Sequence, residues 1–263
     1  MKKILIIGKK SFIGSHLYTF LNKFLPVRIL SYKDLILNDL KNYDYIINCA
    51  IHPNYFKYKY NDKFDIDIKI AKFIKKFTSK YIFLNTRKIY NQKFNIKEGA
   101  NCTPIDNYSK NKLKTEKKLL KIIKKHRLIS LRVSNILGKR KFLKNKRSHN
   151  LFLDNFIKYR KLNKVIKLND CYKDFITIDF FNEVIYKIIN KNIVGIFNLS
   201  LGKKIYVSEI VRWLDPNFSK KIQFNFNNRN KSSFTLNNKK LLKKIKIKIS
   251  KEQVKSFCKK IFK

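Results

Sequence analysis

The chain has 263 residues, 44% of them hydrophobic, so it can bury the core of one α/β domain with a small second lobe. No apolar run approaches the roughly 20 residues that a membrane-spanning helix needs, so no membrane partner is expected. The net charge of +45 would suit a nucleic-acid binder. However, lysine outnumbers arginine, is spread through every segment, and accompanies many other residues with A/T-rich codons. Genome composition explains this charge, so we expect no specific nucleic acid, but an attraction to anions such as a diphosphate.

The cysteines and histidines predict neither disulfides nor a metal site. The four cysteines (Cys49, Cys102, Cys171 and Cys258) are scattered and lack the spacing of metal ligands. Free thiols in a reducing cytoplasm are the simplest interpretation. We therefore expect a cytoplasmic protein without a bound metal.

The first residues carry the pattern of a nucleotide-binding turn. Residues 3–7 form a short apolar, β-branched run, which is typical of a strand buried on both faces. Gly8 and Gly14 follow, and apolar residues recur at helical spacing from Phe12 onward. Glycines permit close backbone approach and a helix N-terminus offers free N–H groups, so this order favours a pyrophosphate. Ser11 stands where a middle glycine would be ideal.

The rest of the chain alternates strands with helices. The pattern predicts strands at residues 27–30, 44–48, 81–84, 128–133, 165–168 and 175–178, and helices at residues 64–77, 107–125, 149–159 and 180–189. This alternation predicts an α/β fold with a doubly wound parallel sheet of the Rossmann type and a small C-terminal α/β lobe. The basic stretch 139–147 has no periodicity and is either a surface loop or a flap that meets a nucleotide diphosphate.

Tyr108 and Lys112 are the first candidates for catalysis. Their i, i+4 spacing places both on one face of a predicted helix. A lysine ammonium close to a phenol stabilises the phenolate, so the sequence predicts a lowered pKa for Tyr108 and proton transfer near neutral pH. Two solvated residues would share this spacing by chance in so lysine-rich a chain. The pair therefore gains its weight from the motifs around it.

Six blocks, in order along almost the whole chain, resemble the extended short-chain dehydrogenase/reductases. The resemblance is to the NAD-dependent epimerase/dehydratase family, which acts on nucleotide sugars. The blocks are the glycine turn at 8–14, the strands that end near Asn48 and Thr86, and the segments 131–138, 173–179 and 196–202. Tyr108 and Lys112 fall between the third and fourth blocks, where the family has its catalytic helix.

The resemblance implies a set of site residues. The implied catalytic residues are Thr86, Tyr108 and Lys112. The implied cofactor-binding residues are Gly8, Ser11, Phe12, Ile13, Gly14, Tyr32, Lys33, Asn48 and Ala50, together with Tyr108 and Lys112. The implied substrate-binding residues are Thr86, Asn135 and Lys173. The resemblance also divides the chain into an NAD(P)-binding part (1–140 and 174–199) and a substrate lobe (141–173 and 200–263).

The implied chemistry is hydride transfer at a sugar carbon, with Tyr108 as the proton donor, in a pathway such as polysaccharide biosynthesis. The second predicted strand ends at Ser31 to Lys33 without a ribose-binding carboxylate, which favours NADP(H) over NAD(H) as the cofactor. The short stretch before the third strand is similar to the 4-keto-sugar reductases of the family, such as dTDP-4-dehydrorhamnose reductase. We therefore expect NADPH-dependent reduction of a 4-keto-6-deoxy nucleotide sugar.

Other functions stay open at this point. Arg87 and Lys88 follow Thr86 where dehydratases carry acidic residues, which disfavours a dehydratase; the dehydrorhamnose reductases also have an acid directly after their threonine. An NAD-dependent nucleotide-sugar 4-epimerase is the main alternative. A non-catalytic dinucleotide-binding or RNA-binding protein on the same fold is the alternative of another class. Many relatives pair through the catalytic helix, so a homodimer is also expected.

Overall fold

The computed structural model describes residues 1–91, 94–141, 152–227 and 233–261. The first part of the chain contains β1 (Ile4–Ile7), α1 (Phe12–Leu21), β2 (Val27–Leu30), β3 (Tyr45–Asn48), α2 (Pro53–Lys57), α3 (Ile66–Ile74), β4 (Lys80–Thr86), α4 (Asn107–Ile122), β5 (Leu128–Val133) and β6 (Asn135–Leu137). The second part contains α5 (Phe152–Lys161), β7 (Ile166–Asn169), β8 (Tyr172–Lys173), β9 (Phe175–Thr177), α6 (Ile178–Asn190), β10 (Gly195–Leu199), β11 (Ile205–Tyr206), α7 (Val207–Leu214), α8 (Pro216–Ser219), β12 (Ile222–Asn225), α9 (Lys239–Ile245) and α10 (Lys251–Lys260).

Six strands form the central sheet in the order β10-β5-β4-β3-β1-β2, and all neighbouring pairs are parallel. Ile4 of β1 lies opposite Val27 of β2 on one side and Tyr45 of β3 on the other. The direction of winding reverses here, because the chain leaves β1 towards β2 and returns to β3 on the opposite side. Ligands of doubly wound sheets bind outside the carboxyl ends of the strands at such a point. The predicted Rossmann-type architecture is confirmed.

Strand β1 illustrates how both faces of the sheet are filled. Ile4 and Ile6 belong to one apolar core and Leu5 and Ile7 to another, since successive side chains of a strand point to opposite faces. Apolar residues of α1 and α6 join the first core, and those of α3 and α4 join the second. All four side chains of β1 are fully buried, as a continuous apolar run in a parallel sheet predicts.

The connection from β2 to β3 is short. Residues 31–44, all of them described, form two 3₁₀ turns (Tyr32–Asp34 and Leu37–Asn42) in place of a full helix. The carboxyl end of β2 lies close to the glycine turn that follows β1, because the N–H of Gly8 donates to the carbonyl oxygen of Leu30 (2.7 Å).

The predicted substrate lobe consists of short elements. Strand β7 pairs with β12 in parallel, and β8 pairs with β11 antiparallel. Apolar residues of α7, α9 and α10, among them Ile210, Leu241 and Val254, join the first core of the central sheet. The division into two lobes therefore stays a prediction. Residues 142–147 of the basic stretch and residues 149–151 of the predicted helix lie outside the described residues. In the described ranges, no helix combines the length and apolar character needed to cross a membrane.

Candidate active site

The turn between β1 and α1 requires glycine at two positions. Gly8 has a φ of +121°, and a Cβ there would lie 3.0 Å from the backbone of Cys49 and Ala50. A Cβ at Gly14 would lie 2.5 Å from the carbonyl oxygen of Gly8. The two glycines therefore let the turn pack directly on the end of β3.

Ser11 occupies the place of the middle glycine and caps α1. Its Oγ accepts a hydrogen bond from the N–H of Gly14 (2.9 Å). Among the described residues, the N–H groups of Phe12 and Ile13 have no hydrogen-bond acceptor. Ser11 thus accepts a hydrogen bond from one N–H group of the helix N-terminus. The N–H groups of Phe12 and Ile13, at the positive end of the helix dipole, stay available to a pyrophosphate.

A cavity of about 170 Å³ lies beside this turn, at the carboxyl ends of β3, β4 and β5. Its lining includes Ile13 of the turn and Asn48 of β3. The three implied catalytic residues, Thr86, Tyr108 and Lys112, line the same cavity. The fold therefore brings residues that are far apart in the sequence into one small space.

The start of α4 places Tyr108 in this cavity. Asp106 caps the helix, and its carboxylate accepts hydrogen bonds from the N–H (2.7 Å) and the hydroxyl (2.6 Å) of Ser109. Tyr108 consequently lies in the first turn of the helix. Its i, i+4 relation to Lys112 is as the sequence predicts.

The short helix α2 fixes the ring of Tyr108 and was not predicted. Phe56 stacks on Tyr108 with 4.7 Å between ring centroids and 18° between ring planes. The side-chain amide of Asn111 donates hydrogen bonds to the carbonyl oxygens of Tyr55 and Tyr58, both at 2.9 Å, and so joins α4 to α2. Nothing in the local pattern around Phe56 indicated a site residue.

The sequence prediction of a lowered pKa for Tyr108 is wrong. Burial raises the pKa of Tyr108 well above its usual value, and the carboxylates of Asp67 and Asp106 raise it further. The positive charge of Lys112, expected to lower it, is compensated by Asp67. The phenol is therefore protonated at neutral pH, as a proton donor must be.

Lys112 is buried against Asp67 and aromatic rings. Its side chain is 4% exposed, and Nζ lies 3.7 Å from the carboxylate of Asp67 and 4.5 Å from the ring centroid of Phe83. A separation of 3.7 Å is too long for a hydrogen bond. The N–H donors of Lys112 therefore lack an acceptor within the described part of the chain. An ammonium with free donors at a cavity wall can bind the hydroxyl groups of a ribose.

Asn48 and Tyr81 hold the carboxylate of Asp67 from the other side. The amide of Asn48 (2.9 Å) and the hydroxyl of Tyr81 (2.6 Å) both donate to Oδ1 of Asp67, and the Asn48 oxygen accepts the N–H of Ala50 (3.0 Å). Burial raises the pKa of Asp67, and the Lys112 ammonium opposes that effect. The polar atoms of Asn48 are thus used to position Asp67 and Ala50. A direct role of Asn48 in cofactor binding stays a prediction.

Thr86 ends β4 and caps the next turn. Its Oγ1 accepts a hydrogen bond from the N–H of Lys88 (3.3 Å), at the start of the 3₁₀ turn Arg87–Ile89. The Thr86 hydroxyl hydrogen has no acceptor among the residues that the structure describes. Thr86 can therefore donate a hydrogen bond into the cavity while its oxygen fixes the local backbone.

A comparison with models of protein families identifies the family of this chain. The model of the NAD dependent epimerase/dehydratase family matches residues 4–199, which include the glycine turn and all three implied catalytic residues. The chain belongs to this family. A search of curated proteins finds no match.

Several solved structures share this fold over nearly their whole length. One is a UDP-N-acetylglucosamine 4-epimerase from Methanobrevibacter ruminantium M1 (18% identity, 98% of this chain and 96% of that chain covered, TM-score 0.79). Another is a dTDP-4-dehydrorhamnose reductase from Clostridium acetobutylicum (18%, 99% and 98%, TM-score 0.76). A third is the same kind of reductase from Bacillus anthracis in complex with NADP (15%, 99% and 98%, TM-score 0.77). These structures show that the fold of the chain is shared over nearly its whole length, and the family match assigns the chain to an NAD-dependent enzyme family.

Ser134 is a site residue that the sequence analysis did not single out. It lies between β5 and β6, and its buried Oγ has no hydrogen-bond partner among the described residues. It lines the cavity with Tyr108 and also an adjoining one. The polar groups of Ser134, Lys112 and the start of α1 that lack hydrogen-bond partners match those of NAD(P). The cofactor offers phosphate oxygens, ribose hydroxyls and a carboxamide as their partners. The signal that could have found Ser134 is its place directly before Asn135 in a family block.

The adjoining cavity has a volume of about 400 Å³ and is lined by two of the three implied substrate residues. Asn135 and Lys173 line it, together with Ser134, which it shares with the first cavity. The N–H of Asn135 donates to the carbonyl oxygen of Asp174 (3.2 Å). The structure thus places Asn135 and Lys173 at one cavity, which shares Ser134 with the cavity of Tyr108. Their role in substrate binding stays a prediction.

Tyr32 and Lys33 lie outside both cavities, on the 3₁₀ turn after β2. The N–H groups of Gly8 and Lys9 donate to the carbonyl oxygen of Leu30 at 2.7 and 3.1 Å, so this turn is joined to the glycine turn. Lys33 is exposed there. Its position is at the edge of the site where the adenosine half of a dinucleotide would lie.

Proposed function

We propose that the protein catalyses NADPH-dependent reduction of a 4-keto nucleotide sugar, with Tyr108 as the proton donor. The observation that carries the proposal is the common cavity of Thr86, Tyr108 and Lys112 beside the glycine turn. A ketone in that cavity would accept hydrogen bonds from Tyr108 and Thr86. The hydride comes from the reduced nicotinamide when NADPH is bound.

Each residue has a distinct role in this proposal. Tyr108 gives its proton to the oxygen as the carbonyl carbon is reduced, and its raised pKa keeps that proton in place beforehand. Thr86 stabilises the negative charge that develops on the same oxygen. Lys112 binds the ribose next to the nicotinamide and so orients the reacting carbon. Asn135 and Lys173 contact the nucleotide sugar in the adjoining cavity.

The preference for NADP(H) rests on the residues after β2. Ser31 and Lys33 follow the strand where a carboxylate would bind the ribose 2′-hydroxyl in an NAD-dependent enzyme. The exposed ammonium of Lys33 is a suitable partner for a 2′-phosphate. Lys9 and Lys10 on the neighbouring glycine turn are exposed as well and add to the positive field.

The proposal also specifies the type of reaction and the kind of sugar. The short connection between β2 and β3 favours a reductase like those that act on dTDP-4-dehydrorhamnose, whose sugar is a 6-deoxyhexose. Arg87 and Lys88 cannot act as carboxylate bases, which disfavours a dehydratase. Arg87 also stands where the dehydrorhamnose reductases have an acid, and this favours the second candidate, an NAD-dependent 4-epimerase.

The experiment is a turnover assay with purified protein, NADPH and a panel of UDP-, dTDP- and CDP-linked 4-keto sugars that includes the 4-keto-6-deoxyhexoses. The proposal predicts loss of absorbance at the reduced-nicotinamide band with at least one sugar. Release of NAD on denaturing the purified protein, with interconversion of C4 epimers and no consumption of NADPH, would favour the epimerase.

A further inference from the structure

We propose that a groove between α6 and α10 binds a basic amphipathic helix of a partner protein. The groove has a volume of about 750 Å³, and residues at the end of α1 complete its lining. It shares no lining residue with either cavity of the candidate active site. The groove is thus a separate site, whatever reaction the active site catalyses.

Aromatic rings line much of the groove. Phe24 is 47% exposed, and its ring centroid lies 5.4 Å from that of Phe20 and 5.1 Å from that of Tyr186. Phe257 of α10 contributes a further, half-buried ring. Aromatic side chains offer large contact areas and are enriched at protein interfaces. Such rings in a groove between helices can receive the apolar face of an amphipathic helix.

The charge of the lining is opposite to the charge of the chain. Lysine and arginine outnumber aspartate and glutamate by 62 to 17 in the sequence. The lining nevertheless contains three carboxylates (Asp179, Glu183 and Glu252) and two lysines (Lys187 and Lys260). Genome composition explains a lysine-rich surface and predicts the reverse ratio here. The lining therefore has a net negative charge on a strongly basic protein.

The carboxylates of the groove are available to a partner. Asp179 and Glu183 lie one turn apart on α6, both are exposed, and neither forms an ion pair within the described parts of the chain. The helix dipole favours Asp179 in the first turn, but like charges at i, i+4 weaken a helix. Glu252 lies 3.7 Å from Lys255 in an exposed pair, which contributes little to stability. A cation can therefore bind these carboxylates without breaking a strong interaction.

The same features favour a basic helix over other occupants. The carboxylates of the lining would repel a nucleic acid or an anionic membrane. A second copy of this chain would bring another net charge of +45 to the contact. A partner helix can place its apolar side chains on Phe24 and Tyr186, and its lysine or arginine side chains beside Glu183. A cation next to the exposed ring of Phe24 would also gain a cation–π contact.

The experiment is fluorescence anisotropy of labelled synthetic peptides with the purified full chain at physiological salt, which screens charges beyond about 8 Å. One peptide is an amphipathic helix with leucine at positions i, i+3, i+4 and i+7 and lysine on the other face. A second has glutamine in place of lysine, and a third has the composition of the first in scrambled order. The net charge of the chain predicts weaker binding of the lysine peptide than of the glutamine peptide. We expect the groove to reverse this order and to bind the lysine peptide about fivefold more tightly.

Three variants at exposed positions locate the peptide on the protein. The double variant Glu183→Gln, Glu252→Gln should weaken binding of the lysine peptide about fivefold and leave the glutamine peptide unchanged. Phe24→Ala removes an exposed ring and should weaken both peptides by about tenfold. Asp34→Asn removes an exposed carboxylate outside the groove and should change neither affinity. Melting temperatures equal to that of the wild type show that each variant keeps the fold.

Three outcomes would overturn the inference. If the lysine peptide binds no more tightly than the glutamine or the scrambled peptide, the groove does not recognise a basic helix. If its affinity is unchanged in the double variant and in Phe24→Ala, the peptide binds elsewhere on the surface. A dimer that Phe24→Ala dissociates in light scattering, with no peptide binding by the wild type, would assign the groove to a second copy of the chain.

Discussion

Asp67 and Lys112 form a buried ion pair behind the candidate active site, with 3.7 Å between Nζ and the carboxylate. The pair joins α3 to α4 and touches Asn48, at the end of β3. It compensates the lysine charge that would otherwise acidify Tyr108, and the Asp67 carboxylate itself raises the pKa of Tyr108. The sequence pattern of a tyrosine and a lysine one turn apart therefore gives a protonated phenol in this protein.

Asp67→Asn should make Tyr108 more acidic. The substitution removes a carboxylate that raises the pKa of Tyr108 and releases the Lys112 ammonium to favour the phenolate. Oxidation of the sugar alcohol by NADP⁺ needs the phenolate, so its pH–rate profile should shift to lower pH by about one unit or more. Asp39→Asn, which removes a carboxylate paired with Arg28 at the surface, is the control. An unchanged profile in Asp67→Asn would contradict the proposed control of Tyr108.

Asp174 should make stability depend on pH. Burial raises the pKa of Asp174 to about 7, above its usual value of 3.8. The Asp174 carboxyl then binds its proton more tightly in the folded state than in the unfolded state. Its contribution to the free energy of unfolding is therefore fully present below about pH 4 and is lost as the pH rises to about 7. Asp174→Asn should remove this dependence from urea-unfolding curves measured across that range. It should also lower the free energy of unfolding by about 1–3 kcal/mol, because the amide satisfies fewer of the three N–H donors.

The control for this series is Glu252→Gln, at an exposed site on α10. It should keep the wild-type slope of stability against pH. A slope that survives in Asp174→Asn would mean that other groups produce it.

Cofactor choice should depend on Lys33. Lys33→Glu replaces an exposed cation by an anion at the proposed site of the 2′-phosphate. We expect the KM for NADPH to rise by about tenfold or more and the KM for NADH to change little. Steady-state kinetics with both cofactors measures the ratio. An equal effect on the two cofactors would place the 2′-phosphate elsewhere.

A homodimer through α4 would be sensitive to salt. Lys110, Lys114, Lys117 and Lys121 are exposed along one face of this helix. Two copies that meet there bring like charges within about 10 Å, the distance over which 0.1 M salt screens them. Light scattering should therefore detect a dimer fraction that rises with ionic strength. A dimer of constant fraction at every salt concentration would exclude this face as the interface.

The sequence predicts the sheet and the catalytic residues better than their electrostatics. Strands β2 and β5 begin and end at the predicted residues, because a mostly apolar run between polar or proline residues marks a short strand. Helix α2 was not predicted, since it has five residues and is held by contacts with α4 instead of by its own pattern. Phe56 therefore escaped notice. The pKa of Tyr108 could not be predicted from Lys112, because its neighbour Asp67 comes from a distant part of the chain.

The role of Tyr108 as the proton donor is tested most directly by Tyr108→Phe. The variant keeps the ring that stacks on Phe56 and removes only the hydroxyl. With NADPH and a 4-keto nucleotide sugar that the wild type reduces, we predict a loss in kcat of about 10²- to 10⁴-fold with unchanged affinity for NADPH. Tyr159→Phe removes a hydroxyl from an exposed tyrosine on α5 and should reduce the sugar at the wild-type rate. Turnover by Tyr108→Phe at the wild-type rate would contradict the account.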